Sequence, residues 1–235
     1  MTSHTMLAFD ADLRELAADI IAMADRTETQ LSHAVDALVT GNVALARDVR
    51  TADHAIDVSQ HEVENKAIEI IATRQPFAID LREIVGALRI AIDLERIGDL
   101  AANIAKRAEQ IGNQKFAKEI AIELRQMGQE VKNQLHHVVH SFQARDAEEA
   151  VEVWKSDEDV DALHNTTFRQ LLTYMMEDPG NISLGMHLLF CAKNIERIGD
   201  HTTNIAESVH YILRGVTIPG ERPKLNVTNL VPPPH

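Results

Sequence analysis

One stretch of this chain occurs twice, and it constrains the fold more than any other feature. The first copy reads Asp93-Leu-Glu-Arg-Ile-Gly-Asp-Leu-Ala-Ala-Asn-Ile-Ala and the second Asn194-Ile-Glu-Arg-Ile-Gly-Asp-His-Thr-Thr-Asn-Ile-Ala. Glu95 and Glu196 set the offset between them (196 − 95 = 101). In both copies a Glu, an Asp and an Asn fall at i, i+4 and i+8: Glu95, Asp99, Asn103 and Glu196, Asp200, Asn204. On a helix these side chains form one ascending row. Carboxylates at i, i+4 repel by a few tenths of a kcal/mol when nothing offsets them, so two such rows point to a cation between them.

The surrounding pattern is helical throughout. Apolar residues recur at helical spacing from about Phe9 to Val39, from Val43 to Thr73 and from Asp80 to about Ala108. Gly41-Asn42, Arg74-Gln75-Pro76 and Gly112-Asn113 mark the stops. The order then repeats. A fourth stripe runs from Phe116 to Phe142, a fifth helix from Ala147 to Glu177 ends at Asp178-Pro179-Gly180, and a sixth runs from Ile182 to Leu213. Helix two matches helix five at another offset (157 − 53 = 104), so the second copy is three residues shorter near its Pro break. The chain is predicted to be all-α, a tandem repeat of two three-helix bundles over 1–112 and 113–214. A Pro-rich tail over 215–235 is expected to add little core.

Composition agrees. Hydrophobic residues make up 45% of the chain but aromatics only 4%, so the core must come from Ala, Ile, Leu, Val and Met, a set that favours helices over strands. A net charge of −13 without a basic stripe argues against a nucleic-acid partner. The one cysteine, Cys191, excludes an internal disulfide and reads as a small buried apolar residue. The chain starts without a basic segment leading into an apolar one, and no apolar run is long enough to span a bilayer. A cytoplasmic protein is expected.

The second helix adds Asp53 and Asp57, a row that His61 extends; the fifth adds Asp157 and Asp161, extended by Asn165. If the short Pro-containing connection makes each middle helix antiparallel to the last, four carboxylates converge in each repeat. Asp53, Asp57, Glu95 and Asp99 then form one candidate metal site, and Asp157, Asp161, Glu196 and Asp200 the other. The bland reading is a set of solvated acids paired with Arg96, Arg197 or Arg47. Carboxylate and amide oxygens are hard ligands suited to magnesium, manganese, calcium or iron. His61 would tilt the first site toward iron or zinc, or is a surface histidine. Gly98 and Gly199 sit mid-helix at about 1 kcal/mol each relative to Ala, which close helix approach would explain.

Catalytic motifs are scarce: no GxSxG, Walker loop, GxGxxG or HExxH occurs. A di-iron oxidase wants Glu-x-x-His on two helices, yet the pattern occurs once, at Glu207 and His210. His136, His137 and His140 read as surface residues. The competing reading is a carboxylate-bridged oxidase or hydrolase, and the third a scaffold whose acids bind nothing.

These motifs resemble the PhoU family of phosphate-transport accessory and regulatory proteins. The features are His4…Phe9-Asp10, Arg74-Gln75-Pro76…Asp80-Leu81-Arg82, both Glu-Arg-Ile-Gly-Asp copies and Leu172-Thr-Tyr-Met-Met-Glu-Asp178, spanning His4 to about Leu213. The resemblance implies two three-helix bundles with pseudo-twofold symmetry and multinuclear metal clusters on the acidic rows. It implies a non-catalytic regulator that represses the phosphate-starvation response by contacting a sensor histidine kinase and the transporter's ATPase subunit. Iron, manganese, magnesium or zinc are the expected ions and a homodimer the expected assembly, touching the membrane through partners only. Asp93 becomes Asn194 and His61 becomes Asn165 between copies, so unequal sites are expected. The acidic face, rather than the tail, is expected to dock partners.

Overall fold

In the computed structural model the described residues are 2–220 and 222, without the side chains of residues 2–7; His4 of the N-terminal motif therefore lies outside the described side chains. The elements are α1 (Thr2–Thr40), α2 (Val43–Arg74), α3 (Ala78–Ile111), α4 (Lys118–Ala144), α5 (Ala147–Lys155), α6 (Asp157–Glu177), a 3-10 turn (Pro179–Asn181) and α7 (Ile182–Arg214). Among the described residues there is no strand. This is the predicted six-helix order, with the fifth helix cut in two.

Local chemistry sets the ends. Asn42 caps α2 by accepting the Leu45 N–H at 3.1 Å, and Asp146 caps α5 by accepting those of Glu148 and Glu149. Gln75 closes α2 in the left-handed conformation ahead of Pro76. The cut in the fifth helix lies at Ser156, where continuity was expected. The Ser156 hydroxyl donates to the Val153 carbonyl at 2.8 Å, and the buried Gln134 amide donates to the Ser156 carbonyl at 2.9 Å. A side chain that competes for the backbone, together with a carbonyl claimed from α4, interrupts the ladder.

Each repeat stacks its own three helices, and equivalent helices then pack on each other, α1 on α4 and α3 on α7. Contacts of a helix with its own repeat partner are what a twofold relation produces. Helices α3 and α7 run antiparallel, because Gly86 meets Ile212, Asp93 meets His201 and Arg107 meets His187. One continuous core results, built on Ala, Ile, Leu, Val and Met. Trp154 is its one buried Phe, Tyr or Trp among the described residues. Cys191 lies fully inside, and burial pushes its thiol up to about 12, as a packing residue requires.

The first residues of the tail follow the core for a short distance. Ile218 is buried in the core, and the Val216 carbonyl accepts a hydrogen bond from the His210 ring at 3.0 Å. Most of the Pro-rich segment lies outside the described residues.

Candidate metal centre

The acidic rows lie where α2 crosses α3 and where α6 crosses α7. Both crossings are close because each has a glycine. A Cβ on Gly98 would stand 3.1 Å from the Ile56 side chain and 3.5 Å from Asp53 Oδ1, and one on Gly199 would stand 3.3 Å from Val160. Ile56 and Val160 are themselves repeat equivalents (160 − 56 = 104). The glycines thus permit the approach that brings the middle-helix carboxylates against the last helix.

In the first repeat Asp53 and Glu95 each interact with the other three predicted carboxylates. Burial raises the Asp53 carboxyl above its ordinary range, against a lowering hydrogen bond from Gln30, and the charges of Asp99 and Asp57 raise it further. Burial likewise raises Glu95, then the charge of Asp99; Arg96 opposes this, while Asp57 and Asp53 add to it. Arg96 lies 3.4 Å from Glu95 and 3.5 Å from Asp99, so the salt-bridge reading holds in part, but its guanidinium is largely in solvent. It does not cancel the excess negative charge. Gln30, 4% exposed, reaches from α1 to donate to Asp53 Oδ1 at 2.9 Å, and its own Oε1 is buried without a partner.

The second repeat is organised differently. Asp157, 3% exposed, accepts two hydrogen bonds from Arg222, from Nε and Nη2, each at 2.9 Å, and one from the Thr203 hydroxyl at 3.1 Å. Arg222 Nη2 also donates to Asp200 Oδ1 at 2.8 Å. Glu196 has the Lys193 ammonium 2.6 Å away, close enough to pair in charge though not aligned as a hydrogen bond. Asp161 lies near His164, whose ring burial holds below its ordinary range. The predicted members therefore share a helix crossing, but Asp157 and Asp200 are joined by a cation from the chain itself.

Among the described residues no three His, Cys, Asp or Glu side chains are drawn together as a ready ligand set. The donor chemistry of the first repeat nevertheless fits a hard cation: four coupled carboxylates, two with raised pKa, beside an orphaned buried amide oxygen. Asp53, Asp57, Glu95 and Asp99 would hold it. In the second repeat a guanidinium satisfies the same need.

Other polar residues along and beside the rows make bonds of their own. The His61 ring bonds its own helix at the Asp57 carbonyl, 2.8 Å away, on the surface. Asn103 is exposed, and the Asn204 amide turns to Asp93 across the repeat interface at 3.3 Å. Glu207 accepts the Trp154 indole N–H while His210 binds Val216, so the isolated Glu-x-x-His pair divides between two structural bonds. His137 and His140 are not merely solvated: both bond Glu149.

Sequence reasoning missed Gln30, Gln134 and Arg222. The two glutamines are repeat equivalents (134 − 30 = 104), both buried, and each has an unpartnered Oε1. Gln30 lines a cavity of about 450 Å³ and Gln134 one of about 290 Å³ in the corresponding groove. A polar residue within an apolar stripe at the repeat offset was a signal available in the sequence. For Arg222 there was none.

A PhoU domain family model matches the chain twice, over residues 5–108 and 124–209. The chain is 45% identical to the phosphate-specific transport system accessory protein PhoU homolog of Rhizobium meliloti, over 97% of this chain and 96% of that one. It is 37% identical to the homolog of Pseudomonas aeruginosa, over 93% and 90% respectively. The fold is similar to the crystal structure of PhoU from Pseudomonas aeruginosa, with a TM-score of 0.85, 38% identity and coverage of 88% of this chain and 100% of that one. It is also similar to the phosphate transport system regulatory protein PhoU from Streptococcus pneumoniae, with a TM-score of 0.82, 28% identity and coverage of 89% and 99%.

Proposed function

The chain belongs to the PhoU family, and on that premise we propose that it is a metal-binding regulator of phosphate uptake. In this reading it restrains the phosphate-starvation response when phosphate is ample, by contact with a phosphate-sensing histidine kinase and the ATPase subunit of a phosphate ABC transporter. Relatives named as accessory proteins of phosphate-specific transport support the association with uptake. Among the described residues no helix is long and apolar enough to cross a membrane, so contact with a transporter would run through its membrane-external parts.

The observation that carries the metal half of the reading is the first acidic row. Asp53 and Glu95 are repelled by the other carboxylates of the row at a close helix crossing, and the half-exposed Arg96 is one cation among four acids. A hard ion held there keeps positions for water, which phosphate oxygens or a partner's carboxylates can take. The reading involves no turnover.

The test uses a bacterium lacking its own PhoU and grown in ample phosphate. A wild-type copy is expected to silence a phosphate-starvation reporter, and a copy with Asp53→Asn and Asp99→Asn to lose that silencing at unchanged protein level. Elemental analysis of both proteins, purified without chelator or nickel resin, accompanies the assay. A fully silencing double variant, or wild-type protein devoid of metal, would overturn the metal half; a wild type that never silences would overturn the regulatory half.

A further inference from the structure

The two acidic rows meet their need for positive charge by different means, and the difference lies in the tail. After α7, Gly215 turns the chain in the left-handed conformation, the Val216 carbonyl is held by His210, and Ile218 enters the core. Gly220 follows at φ 109, a backbone conformation open to glycine and to few other residues. Two residues on, Arg222 arrives at the second row. Its guanidinium binds Asp157 through two parallel hydrogen bonds and Asp200 through a third, and its Nη2 lies 3.4 Å from the Asp200 carbonyl. Arg222 is largely removed from solvent, at 19% side-chain exposure, between the buried Asp157 and the half-buried Asp200 at 30%.

The geometry is that of a bound ligand. A nearly buried carboxylate is stable only when paired and hydrogen-bonded, and a forked guanidinium supplies both. An arginine cannot shed its charge, so this cation leaves only by exchange for another. The atoms that hold it, Asp157 Oδ1 and Oδ2 and Asp200 Oδ1, are the hard oxygen donors a divalent ion takes. In the first repeat the equivalent carboxylate, Asp53, accepts from the neutral amide of Gln30 instead.

We propose that Arg222 is the resident counter-cation of the second acidic row, and that the tail carrying it competes with hard metal ions for Asp157 and Asp200. The inference rests on the metal reading above. It makes the two repeats unequal by construction: the first takes metal directly, and the second takes it only by ejecting the tail. Metal occupancy of the second row is thereby converted into release of the segment from Gly215 to Arg222.

The test uses full-length, chelator-stripped protein and Mn²⁺ alone as the probe. Calorimetric titrations compare wild type, Arg222→Ala and Arg222→Lys, each also with Asp53→Asn and Asp99→Asn to silence the first row. In that silenced background Arg222→Ala is expected to bind Mn²⁺ at least about tenfold more tightly than the protein that keeps Arg222, with Arg222→Lys between them. In wild type, saturating Mn²⁺ is expected to raise amide hydrogen exchange over 215–222 several-fold while the exchange of α7 stays unchanged. Arg222→Lys keeps a counter-charge for Asp157, so it remains informative if the alanine variant folds poorly. Equal Mn²⁺ affinity with and without Arg222, or a tail that stays protected at saturation, would overturn the competition. If wild type binds Mn²⁺ through the first row and Arg222→Ala adds nothing, the competition alone falls. If no protein binds Mn²⁺, the metal reading falls with it.

Discussion

Asp93 on α3 accepts a hydrogen bond from the His201 ring on α7 at 2.8 Å, joining the two repeats through positions that the duplication has made unequal. Asn204 donates to the same Oδ1 at 3.3 Å, and the pair is only 20% and 15% exposed. Asp93→Ala would leave two half-buried donors without this acceptor and is expected to cost about 1 kcal/mol. Asp93→Asn keeps an acceptor oxygen and should cost less. Urea midpoints for the two variants check this; equal losses would show that the acceptor plays no part.

The first acidic row should trade stability for metal. If the proposed site takes Mn²⁺, the ion is expected to raise the melting temperature by binding the folded state in preference to the unfolded. In chelated protein, Asp99→Asn is expected to be more stable than wild type by about 0.3 kcal/mol, the scale of a like-charge helical pair, since Asp99 raises both Asp53 and Glu95. The order should invert when Mn²⁺ is added. Thermal melts with and without chelator decide it, and an order that stays the same in both would count against the site.

Gly86 marks a close approach of α3 to α7, since a Cβ there would fall within the side chain of Ile212, itself 3% exposed. Gly86→Ala gains helix propensity but overpacks the interface, and a net loss of about 1–3 kcal/mol is expected. Ile212→Ala in the same chain should recover part of that loss. A Gly86→Ala protein as stable as wild type would mean that α7 can shift freely on α3.

Cys191 has a thiol pushed up to about 12 by burial. At about pH 8 iodoacetamide should leave the native protein unmodified and label the urea-unfolded chain fully, because only the thiolate reacts. Labelling at equal rates in the two states would show that the core opens readily around α7.

Glu149 supplies the pH prediction. Burial alone would raise its carboxyl, but the hydrogen bonds from His140 and His137, with their charge, hold it below the ordinary value. A carboxyl lower in the folded than in the unfolded chain stabilises the fold above the unfolded value, near about 4.3. That contribution is lost as pH falls through the folded value. Glu149→Gln should therefore be less stable than wild type at about pH 6, with the difference closing as the solution is acidified below about pH 4. A difference independent of pH over that interval would assign the effect to packing.

What the sequence determined by itself is what is local or repeated. Apolar spacing set the helices, Gly and Pro placed their ends to within a few residues, and the 101-residue offset exposed two acidic rows whose members sit at i, i+4 on one helix face. Local spacing is visible because a helix has a fixed period. Tertiary structure decided which charges those rows meet. Ser156 breaks the fifth helix because Gln134 arrives from α4 to claim its carbonyl. Asn204 leaves its row because Asp93 lies across the interface. Arg222 fills the second row because Ile218 packs into the core and carries the tail back over α6 and α7. No periodicity links a tail arginine to an aspartate 65 residues before it; the link exists because a nearly buried carboxylate requires a counter-charge, and the folded chain brings this one within reach.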